Sequence, residues 1–157
     1  MPATNEGGHW TDAECPVARS VDLLGDRWSL LIVRDAMDGA RSFTDFQQRT
    51  GIARNILAER LRRLAAHGVI ERIDSPHGKR KVYRLTEAGH ELFPVILAFR
   101  QWGERHTFAP GEAHSTLVDD TGALVPRAIP LGPDGTPLTS RNTRVVHLPR
   151  SGGDADA

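Results

Sequence analysis

Cysteine and long apolar runs are both scarce in this chain of 157 residues. Its one thiol, Cys15, excludes an internal disulfide and is typical of a reducing compartment. Its apolar stretches are far shorter than the roughly 20 residues that a membrane-spanning helix needs. The first ten residues have neither the basic start nor the apolar segment of a signal peptide. We therefore expect a cytoplasmic protein without a membrane partner.

The motifs of common enzyme chemistries are also missing from the sequence. It has no glycine-rich phosphate loop, no nucleophile elbow and no pair of histidines at the i, i+4 spacing of metal ligands. We therefore expect no enzymatic activity, no cofactor and no metal site.

The charge of the chain is zero overall but uneven along the sequence. Residues 1–40 carry three Arg against seven acidic residues, and residues 82–157 carry seven Arg against nine. Residues 41–81 carry ten Lys or Arg against four acidic residues, a net charge of +6. A local basic surface of this kind is typical of proteins that bind nucleic acid.

Helical periodicity predicts two helices before this basic segment. The first begins at Pro16, a favourable first-turn residue, and ends at Gly25. The second runs from Trp28 to Met37 and is apolar enough to be mostly buried. A buried strand is the alternative for the second stretch, but ten residues is long for a strand.

Two further short helices are predicted within the basic segment. Ser42 opens a capping-box pattern, and the helix that it begins ends at Gly51. A tight turn leads to a second helix with its apolar stripe at Leu57, Leu61 and Leu64. Two short helices joined in this way indicate a helix-turn-helix, although such hairpins are common in helical proteins.

The next segment makes this interpretation more specific. Two β-prone runs, 69–73 and 82–85, flank a turn with three consecutive cations and predict a β-wing. A long final helix is expected from about Glu87 to Arg105, kinked at Pro94. Its apolar stripe is broader than one small domain can cover, so we expect it to pair with a second subunit.

The second helix of the motif carries the candidate DNA-reading residues on the side opposite its leucines. Asn can read adenine, Arg can read guanine and Glu can accept a hydrogen bond from cytosine, whereas later arginines and the wing cations suit phosphate. The alternative is a charged helix face that is merely solvated. The full set of candidate DNA-binding residues comprises Arg41, Ser42, Thr44, Arg54, Asn55, Glu59, Arg62, Arg63, Lys79, Arg80 and Lys81.

Seven ordered blocks of sequence resemble the HxlR family of bacterial winged helix-turn-helix transcription regulators. They lie between about residues 15 and 105 and read Cys15-Pro-Val-Ala-Arg19, Leu24-Gly-Asp-Arg-Trp-Ser-Leu-Leu-Ile-Val-Arg-Asp35, Phe43-Thr-Asp-Phe46, Gly51-Ile52, Leu57-Ala-Glu-Arg-Leu61, Gly68-Val-Ile-Glu-Arg72 and Tyr83-Arg-Leu-Thr-Glu-Ala-Gly89. The resemblance implies a mainly α fold with a small β-wing. It also implies a homodimer, paired through the first and last helices, that binds inverted repeats in double-stranded DNA and represses or activates transcription.

By the same resemblance, Ala53 to His67 is the recognition helix. The family often has Ser, Pro and a basic residue where this chain has Ala53, Arg54 and Asn55, so we expect a helix start without a side-chain cap. The alternative function is a winged helix that acts as a protein-interaction module, and the net charge of +6 argues against it.

Cys15 is the candidate sensing residue. Some relatives use a thiol at this place to sense oxidants or electrophiles, and the alternative is a small apolar residue that packs the first helix. A small-molecule effector could occupy a pocket walled by Trp28, Phe93, Phe99 and Trp102, although such aromatics are more often plain core.

The predicted organisation has four parts. An N-terminal arm covers residues 1–14, the winged helix-turn-helix and dimerisation domain 15–108, a short β-meander 109–148, and a disordered tail 149–157. The meander resembles a tail in which some relatives bind zinc through four cysteines. Thr121, Leu131 and Asp134 stand here where cysteines would, so zinc is not expected.

Overall fold

The structure is a computed structural model and describes residues 9–147. The chain divides into two compact units, one ending at Pro110 and the other beginning at Gly111. The predicted arm of residues 1–14 is described only from His9 on. The predicted disordered tail of residues 149–157 lies outside the described residues.

The first unit contains all the regular elements of the described chain. In order they are α1 (Pro16–Leu24), α2 (Ser29–Met37), α3 (Phe43–Thr50), α4 (Arg54–Ala66), β1 (Ile70–Asp74), β2 (Lys81–Leu85), α5 (Glu87–His90) and α6 (Phe93–His106). The mainly α fold with a two-stranded wing is confirmed. Among the described helices, none is both long and apolar enough to cross a membrane.

The prediction of one long final helix was wrong, because the chain forms two helices there. Thr86 caps the short α5 by accepting a hydrogen bond from the Gly89 N–H at 3.1 Å. The chain then turns at residues 91–92, and Pro94 stands in the first turn of α6. Proline has no N–H to continue a helix but suits the start of one, so it belongs to a new helix and does not kink a continuous one.

The helix-turn-helix is formed by α3 and α4. The side chains of Ser42 and Asp45 exchange hydrogen bonds with each other's backbone N–H groups, which is the capping box that the sequence predicts. Gly51 ends α3 with a φ of 68°, in the left-handed region that glycine adopts most readily. The tight turn then needs only three residues before α4 begins.

The core lies between α2, the helix-turn-helix and the base of the wing. The predicted leucine stripe of α4 is confirmed as part of it. Its largest fully buried side chains are Phe46, Ile32, Leu57, Leu61, Leu64, Ile70 and Val33. Each such side chain contributes about 1.5–3 kcal/mol by leaving water, so this cluster fixes the position of α4 on the domain.

The wing is an antiparallel pair in which Ile70 faces Leu85 and Asp74 faces Lys81. The Tyr83 N–H donates to the Arg41 carbonyl oxygen at 2.7 Å, and the Tyr83 ring meets the edge of Phe46 at 6.3 Å between centroids. The wing is therefore attached to the segment that begins α3.

The second unit contains tight turns where the sequence predicted a β-meander. Within residues 111–147 only single bridges form, between Val118 and Leu124 and between Leu131 and Pro137. Asp119 and Asp134 hold the two turns by accepting backbone hydrogen bonds from Thr121 and Thr136. Four prolines between residues 126 and 137 remove N–H groups that longer strands would need.

Candidate nucleic-acid interface

Helix α4 presents a polar face on the side away from its buried leucines. Arg54, Asn55 and Arg62 are exposed on it. Within the described residues, no side chain caps the start of α4 at Ala53, as the sequence predicts. The N–H groups of the first turn carry the positive end of the helix dipole, which favours anions there.

Arg54 is held against α3. Its guanidinium carbon lies 5.0 Å from the centre of the Phe43 ring, a cation–π arrangement. One of its terminal nitrogens lies 3.5 Å from the side-chain oxygen of Gln47. The two helices of the motif therefore meet at this arginine.

Glu59 is placed between two arginines of its own helix. Its carboxylate accepts a hydrogen bond from Arg60 and lies 3.8 Å from a terminal nitrogen of Arg62. The side chain of Arg62 is 59% exposed, so it reaches solvent beside this pair. Glu59 thus lowers the local positive charge and orients its neighbours.

Arg60 also connects α4 to the start of α2. Its Nε donates to the Asp26 carboxylate at 3.0 Å. The same carboxylate accepts hydrogen bonds from the backbone N–H groups of Trp28 at 2.9 Å and Ser29 at 3.0 Å. Asp26 therefore caps α2 and anchors α4 at one point.

The pKa of Asp26 is lowered from its ordinary value of 3.8. Partial burial acts in the opposite direction and is the largest single influence, because it disfavours the charged carboxylate. The hydrogen bonds from Ser29 and Trp28, together with the charge of Arg60, outweigh it. The ionised carboxylate is therefore the form that the folded protein stabilises.

Arg63 and Arg62 point to different surroundings although they are adjacent. Arg63 is half-buried and donates a hydrogen bond to the Asp22 carbonyl oxygen at the end of α1. The Asp22 side chain in turn accepts hydrogen bonds from the N–H of Thr11 at 2.9 Å and from its hydroxyl at 2.7 Å. Arg63 thus ties α4 to α1 and to the segment before it.

The predicted residues around the start of α3 serve mainly as caps. A terminal nitrogen of Arg41 donates to the carbonyl oxygens of Ala36 and Ala40 at 2.9 Å each, which closes the end of α2. The Ser42 hydroxyl is used by the capping box with Asp45, where hydrogen bonds from the N–H groups of Ser42 and Arg41 lower the pKa of the carboxyl. Thr44 is exposed in the first turn of α3.

The wing carries its cations at and beside its tip. Lys79 and Arg80 are exposed in the turn. Lys81 begins β2, and its ammonium lies 2.5 Å from the Asp74 carboxylate on the facing strand. The wing thus offers two cations at the tip and a third within a surface ion pair.

Cys15 occupies the N-cap position of α1. It is half-buried, and its Sγ accepts a hydrogen bond from the Ala18 N–H at 3.4 Å. One turn further along α1, the guanidinium of Arg19 lies over the Trp10 ring at 5.0 Å, and its Nε donates to the Ala13 carbonyl oxygen at 2.7 Å. These contacts place the last residues before α1 against that helix.

The four aromatics that were predicted to wall a pocket differ in burial within one chain. Trp28 is half-buried and packs against the core. Phe93, Phe99 and Trp102 are exposed on α6. Within one chain, the three exposed residues Phe93, Phe99 and Trp102 form part of an outward apolar face of α6.

Three residues make contacts that position α4 but were not predicted as site residues from the sequence: Asp26, Gln47 and Arg60. An Asp shortly before an apolar helix often accepts hydrogen bonds from the first N–H groups of that helix, and this signal could have identified Asp26. The other two depend on contacts between helices, which no local pattern reports. Among residues 9–147, no three His, Cys, Asp or Glu side chains come together as metal ligands would.

Comparisons with known proteins agree with this geometry. The model of the HxlR-like helix-turn-helix family matches residues 23–109. The HTH-type transcriptional regulator Rv3095 of Mycobacterium tuberculosis, named as uncharacterized, is 42% identical over 95 residues, which are 60% of this chain and 60% of Rv3095. The match thus spans less than two thirds of that relative. The HTH-type transcriptional regulator YodB of Bacillus subtilis is 36% identical over 94 residues, 58% of this chain and 84% of YodB.

Solved structures give the same result. PA1607, described as a candidate transcription factor, is 49% identical with a TM-score of 0.83, covering 87% of this chain and 97% of that one. The redox regulator HypR in its reduced form is 29% identical with a TM-score of 0.55, covering 59% of this chain and 94% of its own. The family model alone covers more than half of the sequence, and the winged helix-turn-helix is the fold of these neighbours. The chain therefore belongs to the HxlR-like helix-turn-helix family.

Proposed function

We propose that this chain is a sequence-specific DNA-binding transcriptional regulator, most simply a repressor, that acts as a homodimer on an inverted repeat. The observation that carries the proposal is the exposed polar face of α4 beside a wing with cations at its tip. An α-helix fits the major groove of DNA, and a wing beside it can reach the neighbouring backbone or minor groove.

The residues divide into those that read bases and those that hold the backbone. Arg54 and Asn55 are exposed in the first turn of α4, where a helix inserted by its N-terminal half meets base edges. Arg62, Lys79 and Arg80 suit phosphate, whose contacts set affinity and register without reading sequence.

The other candidate residues take supporting positions in this proposal. Thr44 lies at the edge of the interface, while Arg41 and Ser42 keep α2 and α3 in place through their caps. Glu59 and Lys81 are engaged in ion pairs at its border. Arg63 points to α1, so we leave it out of the interface.

The exposed apolar side chains of α1 and α6 support the proposal that two copies pair through these helices. Val17 on α1 is 70% exposed, and Phe99 and Trp102 on α6 are 61% and 56% exposed. A second copy that covers these faces would remove a large apolar area from water. Helix-turn-helix dimers bind half-sites about one DNA turn, or ~34 Å, apart, so we expect the two α4 helices of the pair to have that spacing.

A salt titration tests the proposal directly. The probe is a duplex from the protein's own promoter region, and we expect its affinity to fall steeply as salt rises because phosphate contacts release counterions. Arg62→Ala should reduce the salt slope by about one. Arg141→Ala removes the same charge from an exposed position in the second unit and should leave the slope unchanged. A flat salt response of the wild type would overturn phosphate-anchored binding.

A protein-interaction module is the second candidate, favoured by the same exposed apolar side chains on α6. The double substitution Arg54→Ala with Asn55→Ala separates the two functions. A DNA reader loses its preference for one sequence and keeps its fold, whereas an interaction module is unaffected.

We also propose Cys15 as the sensing residue for a redox or electrophilic signal. Two observations support it: the half-buried thiol at the start of α1, and the likeness to HypR and YodB, of which HypR is named a redox regulator. DNA affinity with and without oxidant should differ in the wild type and not in Cys15→Ser. Identical responses of the two proteins would eliminate thiol sensing.

A further inference from the structure

The contacts of Arg54 come from one face of α3. Phe43 and Gln47 are four residues apart on that helix, so both side chains lie on the same side of it. Phe43 supplies the ring beneath the guanidinium at 5.0 Å, and Gln47 supplies an oxygen 3.5 Å from one terminal nitrogen. The first helix of the motif thereby forms a support for the first residue of the second helix.

This support is itself held firmly. Phe43 is half-buried and packs against the hydrophobic core, and Phe46, on the next turn of the same helix, is fully buried. The left-handed turn at Gly51 and the buried Ile52 fix how α4 follows α3. The ring and the amide oxygen therefore occupy defined positions relative to the start of α4.

The consequence for Arg54 is orientation. An exposed arginine otherwise samples many rotamers, and ordering it costs roughly 2 kcal/mol of side-chain entropy. A ring stacked beneath the guanidinium restricts its plane without using any of its five N–H donors. Gln47 accepts from one terminal nitrogen only, so the other donors of the fork remain available. Two of them can match the O6 and N7 acceptors of guanine in the major groove.

We propose that Phe43 and Gln47 are positioning residues that set Arg54 to read a guanine, and that they determine operator specificity although they lie on α3. This inference rests on the proposed function, because it assigns a role within the DNA interface. The proposed role of Arg54, reading a base, differs from that of Arg62, which lies beside Glu59 and is suited to binding phosphate.

The experiment selects binding sites from a pool of DNA duplexes with a randomised central segment. We expect the wild type to enrich a guanine at one position of each half-site and Arg54→Ala to lose that preference alone. Phe43→Leu should weaken the guanine preference about three- to tenfold, because it keeps an apolar side chain but removes the ring face. Gln47→Leu should weaken it less, given the long contact distance.

Two controls separate positioning from packing. Phe43→Tyr keeps the ring face and should restore the wild-type guanine preference. A structural role alone would lower the affinity of Phe43→Leu for all sequences equally and leave base preferences unchanged, which would overturn the inference. Thermal unfolding of each variant confirms that the compared proteins are folded.

The outcomes also distinguish this inference from the proposed function. If Arg54→Ala weakens binding to every duplex by the same factor, Arg54 is a phosphate contact and the inference fails while DNA binding stands. If the wild type enriches no sequence at all, sequence-specific binding itself is overturned, and the inference falls with it.

Discussion

The carboxylate of Asp26 and the Nε of Arg60 lie 3.0 Å apart and join the start of α2 to the middle of α4. The two side chains are only 23% exposed, so solvent screens this ion pair less than it screens pairs at the surface. The same carboxylate caps α2 through the N–H groups of Trp28 and Ser29. One side chain therefore supports both the central core helix and the helix that we propose reads DNA.

We expect Asp26→Asn to destabilise the protein by about 1–2 kcal/mol. Asparagine can still accept the hydrogen bonds at the start of α2, so most of the loss comes from the ion pair with Arg60. Arg60 then keeps its contact with Glu59 on its own helix but loses its ionic link to the segment before α2. Urea unfolding measures the loss as a lower midpoint at an unchanged slope.

The matched control is Asp38→Asn, because the Asp38 side chain is 86% exposed and pairs with Arg49 at the surface. Surface pairs contribute at most about 1 kcal/mol, so this variant should stay close to the wild type. If both variants lose the same free energy of unfolding, the Asp26–Arg60 ion pair contributes no more to stability than a surface pair does.

The lowered pKa of Asp26 predicts a specific pH dependence of stability. Because the folded pKa lies below the unfolded value, the folded state favours the ionised carboxylate, and this contribution is fully present above the ordinary pKa of 3.8. It disappears as the pH falls through the folded pKa. The free-energy difference between wild type and Asp26→Asn should therefore be largest near neutral pH and shrink in acid.

Unfolding curves at a series of pH values test this sign. Asp22 and Asp45 also have lowered pKa values, so the Asp26→Asn variant keeps part of the acid sensitivity of the wild type. A difference between the two proteins that grows in acid would contradict the assignment of a lowered pKa to Asp26.

Gly89 is required by the close approach of two backbones. A Cβ at this position would lie 2.2 Å from the Val69 carbonyl oxygen and 2.9 Å from a methyl group of Leu85. Neither the backbone atom nor the buried leucine can easily move, so we expect Gly89→Ala to cost several kcal/mol, on the order of an overpacked core. Circular dichroism during heating would show the loss as a lower midpoint.

Gly103 in α6 provides the contrast. A Cβ there meets only the Thr107 hydroxyl at 3.7 Å. Alanine inside a helix is favoured over glycine by about 0.5–1 kcal/mol, so Gly103→Ala should be neutral or stabilising. A stable Gly89→Ala variant would mean that α5 can shift away from the wing without cost.

The sequence was sufficient for features that depend on local patterns. The leucine stripe of α4, the capping box at Ser42 and the end of α3 at Gly51 were all predicted and confirmed. Each follows from residues within a few positions of one another, where helix periodicity and capping preferences act directly.

Contacts between residues that are far apart in the sequence could not be predicted from such local patterns. Arg62 and Arg63 both lie away from the leucine stripe on a helical projection, so the sequence predicts the same DNA-binding role for both. The structure distinguishes them through a distant contact, because Arg63 donates a hydrogen bond to the carbonyl oxygen of Asp22, which is 41 positions away. The contacts of Arg54 with Phe43 and Gln47 likewise depend on how two helices meet.

Proline and glycine explain two further differences from expectation. Pro94 was expected to bend a helix, yet in the structure it starts one. In the second unit, short apolar runs indicated strands, but closely spaced prolines leave too few N–H groups for a ladder. In both places the missing N–H of proline, and not the surrounding apolar pattern, determined the secondary structure.

Phe99→Glu tests the proposed pairing of two copies through α6. The Phe99 side chain is 61% exposed in one chain, so the substitution removes few contacts within that chain. A glutamate in a paired apolar face would carry a buried charge without a partner, which costs far more than a surface change. We therefore expect a folded monomer whose DNA affinity falls sharply, because each half-site then binds alone.

Sedimentation analysis over a range of protein concentrations measures the change in mass. Ala88→Glu adds the same charge at an exposed position of α5 and should leave both the mass and the DNA affinity unaltered. Every residue of α1 is half-buried or exposed in one chain, so Val17→Glu on that helix should reproduce the effect of Phe99→Glu. If either variant on these two helices keeps the wild-type mass, that helix lies outside the interface and the two copies must pair through another surface.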